Sequence, residues 1–148
     1  MNKLLLILPL LLIGCATTYQ NEGFSGGYTE TQLDVDVYSV VFNGNGFTSL
    51  ERTKDFTLLR SAELTLKKGY IFFIIIDSSS FIDKNQGSTP VQNYNYSKQS
   101  YETTQQQFTV SKPKASNTIK MLKSKPANTF SYNAEFLVGS IKSRYEIE

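Results

Sequence analysis

Tyr70-Ile71-Phe72-Phe73-Ile74-Ile75-Ile76-Asp77 is a near-continuous apolar run. Such a run suits a central strand buried on both faces. The residues before it complete the reading. Val35, Val37, Tyr38, Val40, Val41 and Phe42 make a second strand, rich in β-branched and aromatic side chains. Asn43-Gly44-Asn45-Gly46 ends that strand in a tight turn, because Asn and Gly tolerate positive φ. A helix should then run from about Ser49 to Lys68, capped by Thr48 or Ser49, with Thr48 and Glu51 spaced as a capping box. Glu51 and Asp55 lie near its positive end, Lys67 and Lys68 near its negative end, and Gly69 follows the C-cap. Strand, helix and strand with short connections predict a βαβ unit with parallel strands and a right-handed crossover.

Downstream the character changes. Residues 78–107 are polar and rich in Ser, Gln, Asn, Thr and Tyr. They read as an insertion, part of it a hairpin because Tyr94 and Tyr96 alternate; so long an irregular stretch inside one domain tends to be functional or disordered. Phe108 to Val110 and Thr118 to Leu122 are short strand candidates, and Asn133 can cap a last helix from Ala134 to about Arg144 with Phe136, Leu137, Ile141 and Tyr145 on its apolar side. The fold class expected is α+β: a small mixed β-sheet with a βαβ unit and a C-terminal helix, in a single domain over residues 32–148.

The N-terminus reads as an export signal. Met1-Asn2-Lys3 is a short positive segment, and Leu4 to Ile13 is apolar over about the length of a signal core, too short for a spanning helix of roughly 20 residues. Leu12-Ile13-Gly14-Cys15 looks like a lipobox. Residues 1–14 are then a lipoprotein signal peptide, cut between Gly14 and Cys15, and Cys15 carries lipid. Two or three acyl chains hold a protein on a membrane where one would not. Ala16, in place of Asp, points to the outer membrane on its periplasmic face. Residues 15–31, rich in Gly, Ser, Thr and Asn after the lipidated Cys, read as a flexible tether with a reach of roughly 20 Å.

Composition removes several chemistries. The 148 residues contain no His and one Cys, with a net charge of +2. Histidine-dependent catalysis, disulfides within the chain and Cys/His zinc sites are excluded on that ground. A nearly neutral domain carries no electrostatic footprint for nucleic acid. The glycines of residues 43–46 match neither the G-x-G-x-x-G nor the Walker spacing. Asp34 and Asp36, with Asp77 or Asp83, fall short of the oxygens a calcium cage needs. No metal or cofactor is expected.

Gly27-Tyr28-Thr29-Glu30-Thr31-Gln32-Leu33-Asp34 resembles the opening of a family of uncharacterised proteobacterial lipoproteins. The resemblance continues through Phe42, Gly44-Asn45-Gly46, Thr48, Glu51-Arg52, Asp55-Phe56, Leu58-Leu59-Arg60, Ala62-Glu63-Leu64 and Gly69-Tyr70. Ile119-Lys120-Met121-Leu122-Lys123 and Tyr132-Asn133-Ala134 are similar as well, with Asn133 where the family usually has Asp. The resemblance implies a lipoprotein of the cell envelope and supports the fold; it implies nothing catalytic.

Two side-chain sets stand out. On the first helix Leu58, Leu59, Ala62 and Leu66 share a face, with Asp55 inside its arc and Arg52 and Glu63 beside it. A carboxylate in an apolar face must find donors. The set Arg52, Asp55 and Glu63 is a polar site on the functional reading and a structural network on the other, which is favoured. Tyr94, Tyr96 and Tyr101 are a candidate aromatic platform, since Tyr joins large area to a polar tip. The leading functional reading is a non-enzymatic envelope protein that binds an envelope component or supports an assembly. The second is a peptidoglycan- or glycan-binding module using the Tyr-rich insertion; the third is a carboxylate hydrolase at Asp55 and Glu63.

Overall fold

The computed structural model describes residues 16–148; the signal peptide expected at 1–14 and the cleavage and lipidation expected at Gly14 and Cys15 lie outside the described residues. The elements in chain order are β1 (Gly27–Asp34), β2 (Val37–Asn43), α1 (Leu50–Lys67), β3 (Phe72–Asn95), β4 (Ser100–Leu122), β5 (Tyr132–Asn133) and α2 (Ala134–Tyr145). The strands form one five-stranded sheet in the order β1-β2-β4-β3-β5. Every neighbouring pair is antiparallel. The α+β class holds, but the sheet is antiparallel rather than mixed. β2 and β3 do run in the same direction across α1, yet they are not neighbours. The chain returns from β3 as β4, which pairs with β2 along Lys114–Lys120 and with β3 along its whole length. A crossover helix sets the relative direction of its two strands and leaves their adjacency open; the returning strand takes the place between them.

Alternation places the core. Tyr38, Val40 and Phe42 of β2, Phe73 of β3, and Ala115, Ile119 and Met121 of β4 are buried on the face that α1 covers. Ile71 and Ile76 are about half exposed, so the apolar run is covered on one face only. The buried face of α1 is rotated from the one expected. Leu66 is exposed, whereas Thr53, Thr57, Ser61 and Thr65 are all buried. These four lie four residues apart, and each hydroxyl donates to the carbonyl one turn back, at 2.7–2.9 Å. A hydroxyl satisfied within its own helix can be buried without a second partner. Ser49 caps α1, accepting from Arg52 N, and Asn133 caps α2, accepting from Phe136 N. Thr48 is not the cap, and the capping box does not form. Gly69, with φ +77°, follows the C-cap of α1. In α2, Ile141 is buried and Leu137 packs on the core, while Phe136 points to solvent.

The segment read as a flexible tether is folded onto the domain. Thr17 is buried; its hydroxyl donates to Ser25 O at 2.7 Å and accepts from Asn45 N at 2.8 Å, and its amide donates to Thr48 Oγ1 at 2.9 Å. Tyr19 packs on Tyr28 and Phe56, and β1 adds an edge strand over Gly27–Asp34. The small polar residues that suggest mobility are the ones that allow this path. Gly27, at φ +138°, lies where a Cβ would collide with the carbonyl oxygens of Gln20 and Asn21.

Candidate functional site

The residues singled out on α1 divide between two staples. Asp55 Oδ2 accepts from Tyr145 Oη at 2.7 Å and from Arg144 Nη1 at 2.9 Å, tying α1 to α2. Arg52 lies 5.0 Å from the Phe56 ring and 5.2 Å from that of Tyr145; its Nε is buried with no hydrogen-bond partner among the described residues. Glu63 sits two turns further on. It accepts from Tyr19 Oη at 2.5 Å and from Arg60 at 3.2 Å, and lies 3.4 Å from Lys142. Arg60 also grips Glu30 of β1 at 2.9 Å and covers the Tyr28 ring. Burial, and then the Glu63 carboxylate, push the Tyr19 hydroxyl well above the ordinary phenol range; burial, then Asp55, push Tyr145 up to about 12. Both phenols therefore stay protonated and act as donors across the neutral range.

Asp55 and Glu63 are both engaged in ties between elements of the fold. Glu63 joins the N-terminal segment, α1 and α2, and Asp55 joins the two helices; their donors are different. A cleft of about 310 Å³ lies beside Asp55, lined also by Lys54, Leu58, Ser78, Asn117 and Tyr132, and does not include Glu63. It is at the small end for a ligand pocket. Among the described residues no group of three or more His, Cys, Asp or Glu is placed to hold a metal ion. Asp55→Ala should lower stability by about 1–2 kcal/mol, because it orphans the Tyr145 hydroxyl. Asp83→Ala should change it by less than about 0.5 kcal/mol, as an exposed substitution does. Urea denaturation of the two variants checks the contrast; equal small losses would mean that Asp55 is not a structural tie.

The polar insertion is the distinctive feature. Residues 78–107 are neither loop nor separate unit: they belong to one continuous hairpin of β3 and β4, in register from Ile82↔Pro113 to Asn95↔Ser100. Beyond Ile82 and Pro113 the hairpin has left β2 and β5 behind and projects as two strands alone, over roughly 45 Å at strand rise. Nearly every side chain along it is exposed on both faces. Local pairs hold it together. Asp83 stands opposite Lys112 in the register, and the Phe108 ring lies over Gly87, where a Cβ would collide with its carbons. An aromatic covering a cross-strand glycine replaces the missing side-chain packing. At the tip Asn95 Oδ1 accepts from the amides of Ser97 and Lys98, and Gln99 takes φ 49°.

The three tyrosines chosen from the sequence meet at this tip. Tyr94 stands edge-on to Tyr96 at 5.0 Å and to Tyr101 at 5.1 Å; Tyr96 is 85% and Tyr101 72% exposed, so both present ring surface to solvent. The length of the arm itself was missed. Its faces are both wet, so the apolar–polar alternation that marks a half-buried strand is absent; the available signal was the run of Thr, Val, Tyr and Phe among the polar residues. Comparison with protein-family models, with curated proteins and with solved structures finds no match to this chain.

Proposed function

We propose that the chain is a lipoprotein of the outer membrane, held on the periplasmic face by lipid on Cys15, and that it works without catalysis, by engaging an envelope component through the β3–β4 arm. The observation that carries this reading is the arm itself. A two-stranded hairpin is marginal in water without a further surface to pack on. Here one extends far past the sheet with both faces exposed and an aromatic cluster at its end. In the base, by contrast, Asp55 and Glu63 are engaged in structural ties. The residues that resemble the proteobacterial lipoprotein family fall on β1, the β2–α1 turn, α1, the second half of β4 and the start of α2. The arm lies outside those residues.

A second reading is favoured by the tip alone: Tyr96 and Tyr101 could stack on the sugar rings of peptidoglycan. Photocrosslinking from position Tyr96 in cells, with captured species identified by mass spectrometry, separates the two. A reproducible protein adduct supports the first reading. Glycan fragments without protein overturn it in favour of the second. The anchor has its own test: Cys15→Ser should move the protein from the envelope fraction to the soluble fraction, and retention of this variant in high salt would show that lipid is not what holds it.

A further inference from the structure

The arm has two edges, and they are unlike. Pro113 O accepts from Gly44 N at 2.8 Å, so position 113 points toward the β2 side of β4. The register is unbroken from there to the tip, so Ser111, Thr109, Gln107, Gln105 and Thr103 also turn their amides and carbonyls outward. β2 ends opposite Lys114, and among the described residues no strand pairs with β4 beyond it. Gly46 lies beside Val110 and Ser111, so the fully open stretch runs from Thr109 to the tip. On the β3 edge the outward position opposite Gln105 is Pro90, which has no N–H to offer. One edge is blunted and the other is not.

The open edge also lacks the usual safeguards. Thr103-Thr104-Gln105-Gln106-Gln107-Phe108-Thr109-Val110-Ser111 contains no charge, no Pro and no Gly. Exposed natural edges ordinarily carry Lys, Pro or a bulge that prevents strand addition. A neutral, β-forming segment rich in Gln is what pairs most readily with its own kind. It is bounded by one charge of each sign, Glu102 and Lys112.

We infer that the partner of this edge is a second copy of the same chain, paired antiparallel β4 to β4 about a two-fold axis at Gln107. The inference rests on the arm being the working part and names what the arm engages. In this register the open span Gln105–Thr109 of each copy pairs clear of Gly46, and beyond each end of it Glu102 of one copy falls on the side of Lys112 of the other, so both ends match opposite charges. The neighbouring registers do not. Centring on Gln105 sets Lys112 against Lys98 of the turn, and centring on Thr109 pairs Gln107 with Ser111, beside which Gly46 already lies. Within its own copy Glu102 Oε1 accepts from Lys98 Nζ at 2.9 Å and from Asn95 Nδ2 at 3.2 Å, which leaves Oε2 for a second cation. The product is a four-stranded arm, β3-β4-β4-β3, with an isologous interface. Both outer edges are then the ones carrying Pro90, so the pairing closes at two copies.

Gln107→Cys in the full chain, oxidised in cells and resolved without reductant, tests this. Position 107 meets itself across the axis, so the variant should give a disulfide dimer of twice the chain mass at least fivefold above Gln92→Cys, on the other strand. Adding Glu102→Lys should cut that yield at least fivefold, and adding Lys112→Glu as well should restore it. A yield no higher than that of Gln92→Cys, an adduct of another mass, or a yield indifferent to Glu102→Lys would each overturn the inference. Tyr96 adducts to a different protein alongside monomeric Gln107→Cys would leave the arm as a docking element and remove self-pairing alone.

Discussion

Excising Lys84–Ser111 and closing Asp83 to Lys112 with an Asn-Gly turn should leave the melting temperature of the base within about 5 °C of the parent while abolishing self-association and partner capture. Asp83 and Lys112 face each other in the ladder, and a two-residue type I′ turn suits such a pair. The expectation of unchanged stability follows from where the core lies. The fully buried large side chains come from β2, α1, the start of β3 and the second half of β4. Inside the excised stretch the bulky residues Tyr94, Tyr96, Tyr101 and Phe108 are between 42% and 85% exposed, so little apolar burial is lost. Thermal unfolding and sedimentation of the detergent-solubilised protein read the two halves of the result. A fall in melting temperature of more than about 15 °C would show that the arm is part of the folding unit. An unchanged sedimentation profile would show that it is not the contact surface.

Phe56→Ala is expected to be the most damaging single substitution in the base, at about 3–5 kcal/mol. Phe56 is fully buried, and its ring meets Phe42 at 5.1 Å, Tyr19 at 5.4 Å and Tyr145 at 5.0 Å, with the Arg52 guanidinium 5.0 Å away. It therefore touches the sheet, the N-terminal segment and α2 at once. A domain of this size has roughly 5–15 kcal/mol in total, so the variant should be marginal at best. Urea denaturation gives the size of the loss, and limited proteolysis its place: cleavage near Tyr19 should appear first, because that ring loses its support. A loss below about 1.5 kcal/mol would mean that the cluster repacks and that the N-terminal segment is held by other contacts.

The parts of the fold legible in the sequence are those where local chemistry and burial agree. α1 is bounded by a hydroxyl cap at Ser49 and a positive-φ glycine at Gly69, and both are local signals. The cap at Asn133 and the strand over Val37–Asn43 are of the same kind. Misreadings occur where polarity and burial part company. Thr53, Thr57, Ser61 and Thr65 look like a wet face, yet each hydroxyl is answered inside the helix and the face is dry. The arm is the reverse case: its residues are in strands although neither face is dry, so no period of two is imprinted on them. Strand order was out of reach for a related reason. Pairs such as Asp83↔Lys112 and Gly87↔Phe108 become visible only once the register is known. At the candidate sites, the Tyr94–Tyr96–Tyr101 cluster was readable because all three lie at one turn. The partners of Asp55 were not, since Arg144 and Tyr145 come from the far end of the chain.

The burial of Thr17 bears on how the arm is carried. A chain fastened to a surface at residue 15 would have only Ala16, two Cα–Cα steps of at most roughly 7 Å, between the fastening and a rigid body. Such a mount is a bracket, not a leash. Each copy would stand at nearly the same height and with a narrow range of tilt, so that arms on neighbouring copies sweep a common plane. Meeting then needs only lateral diffusion and a turn about the vertical, and the orientational entropy lost on contact is smaller than for two freely tumbling molecules.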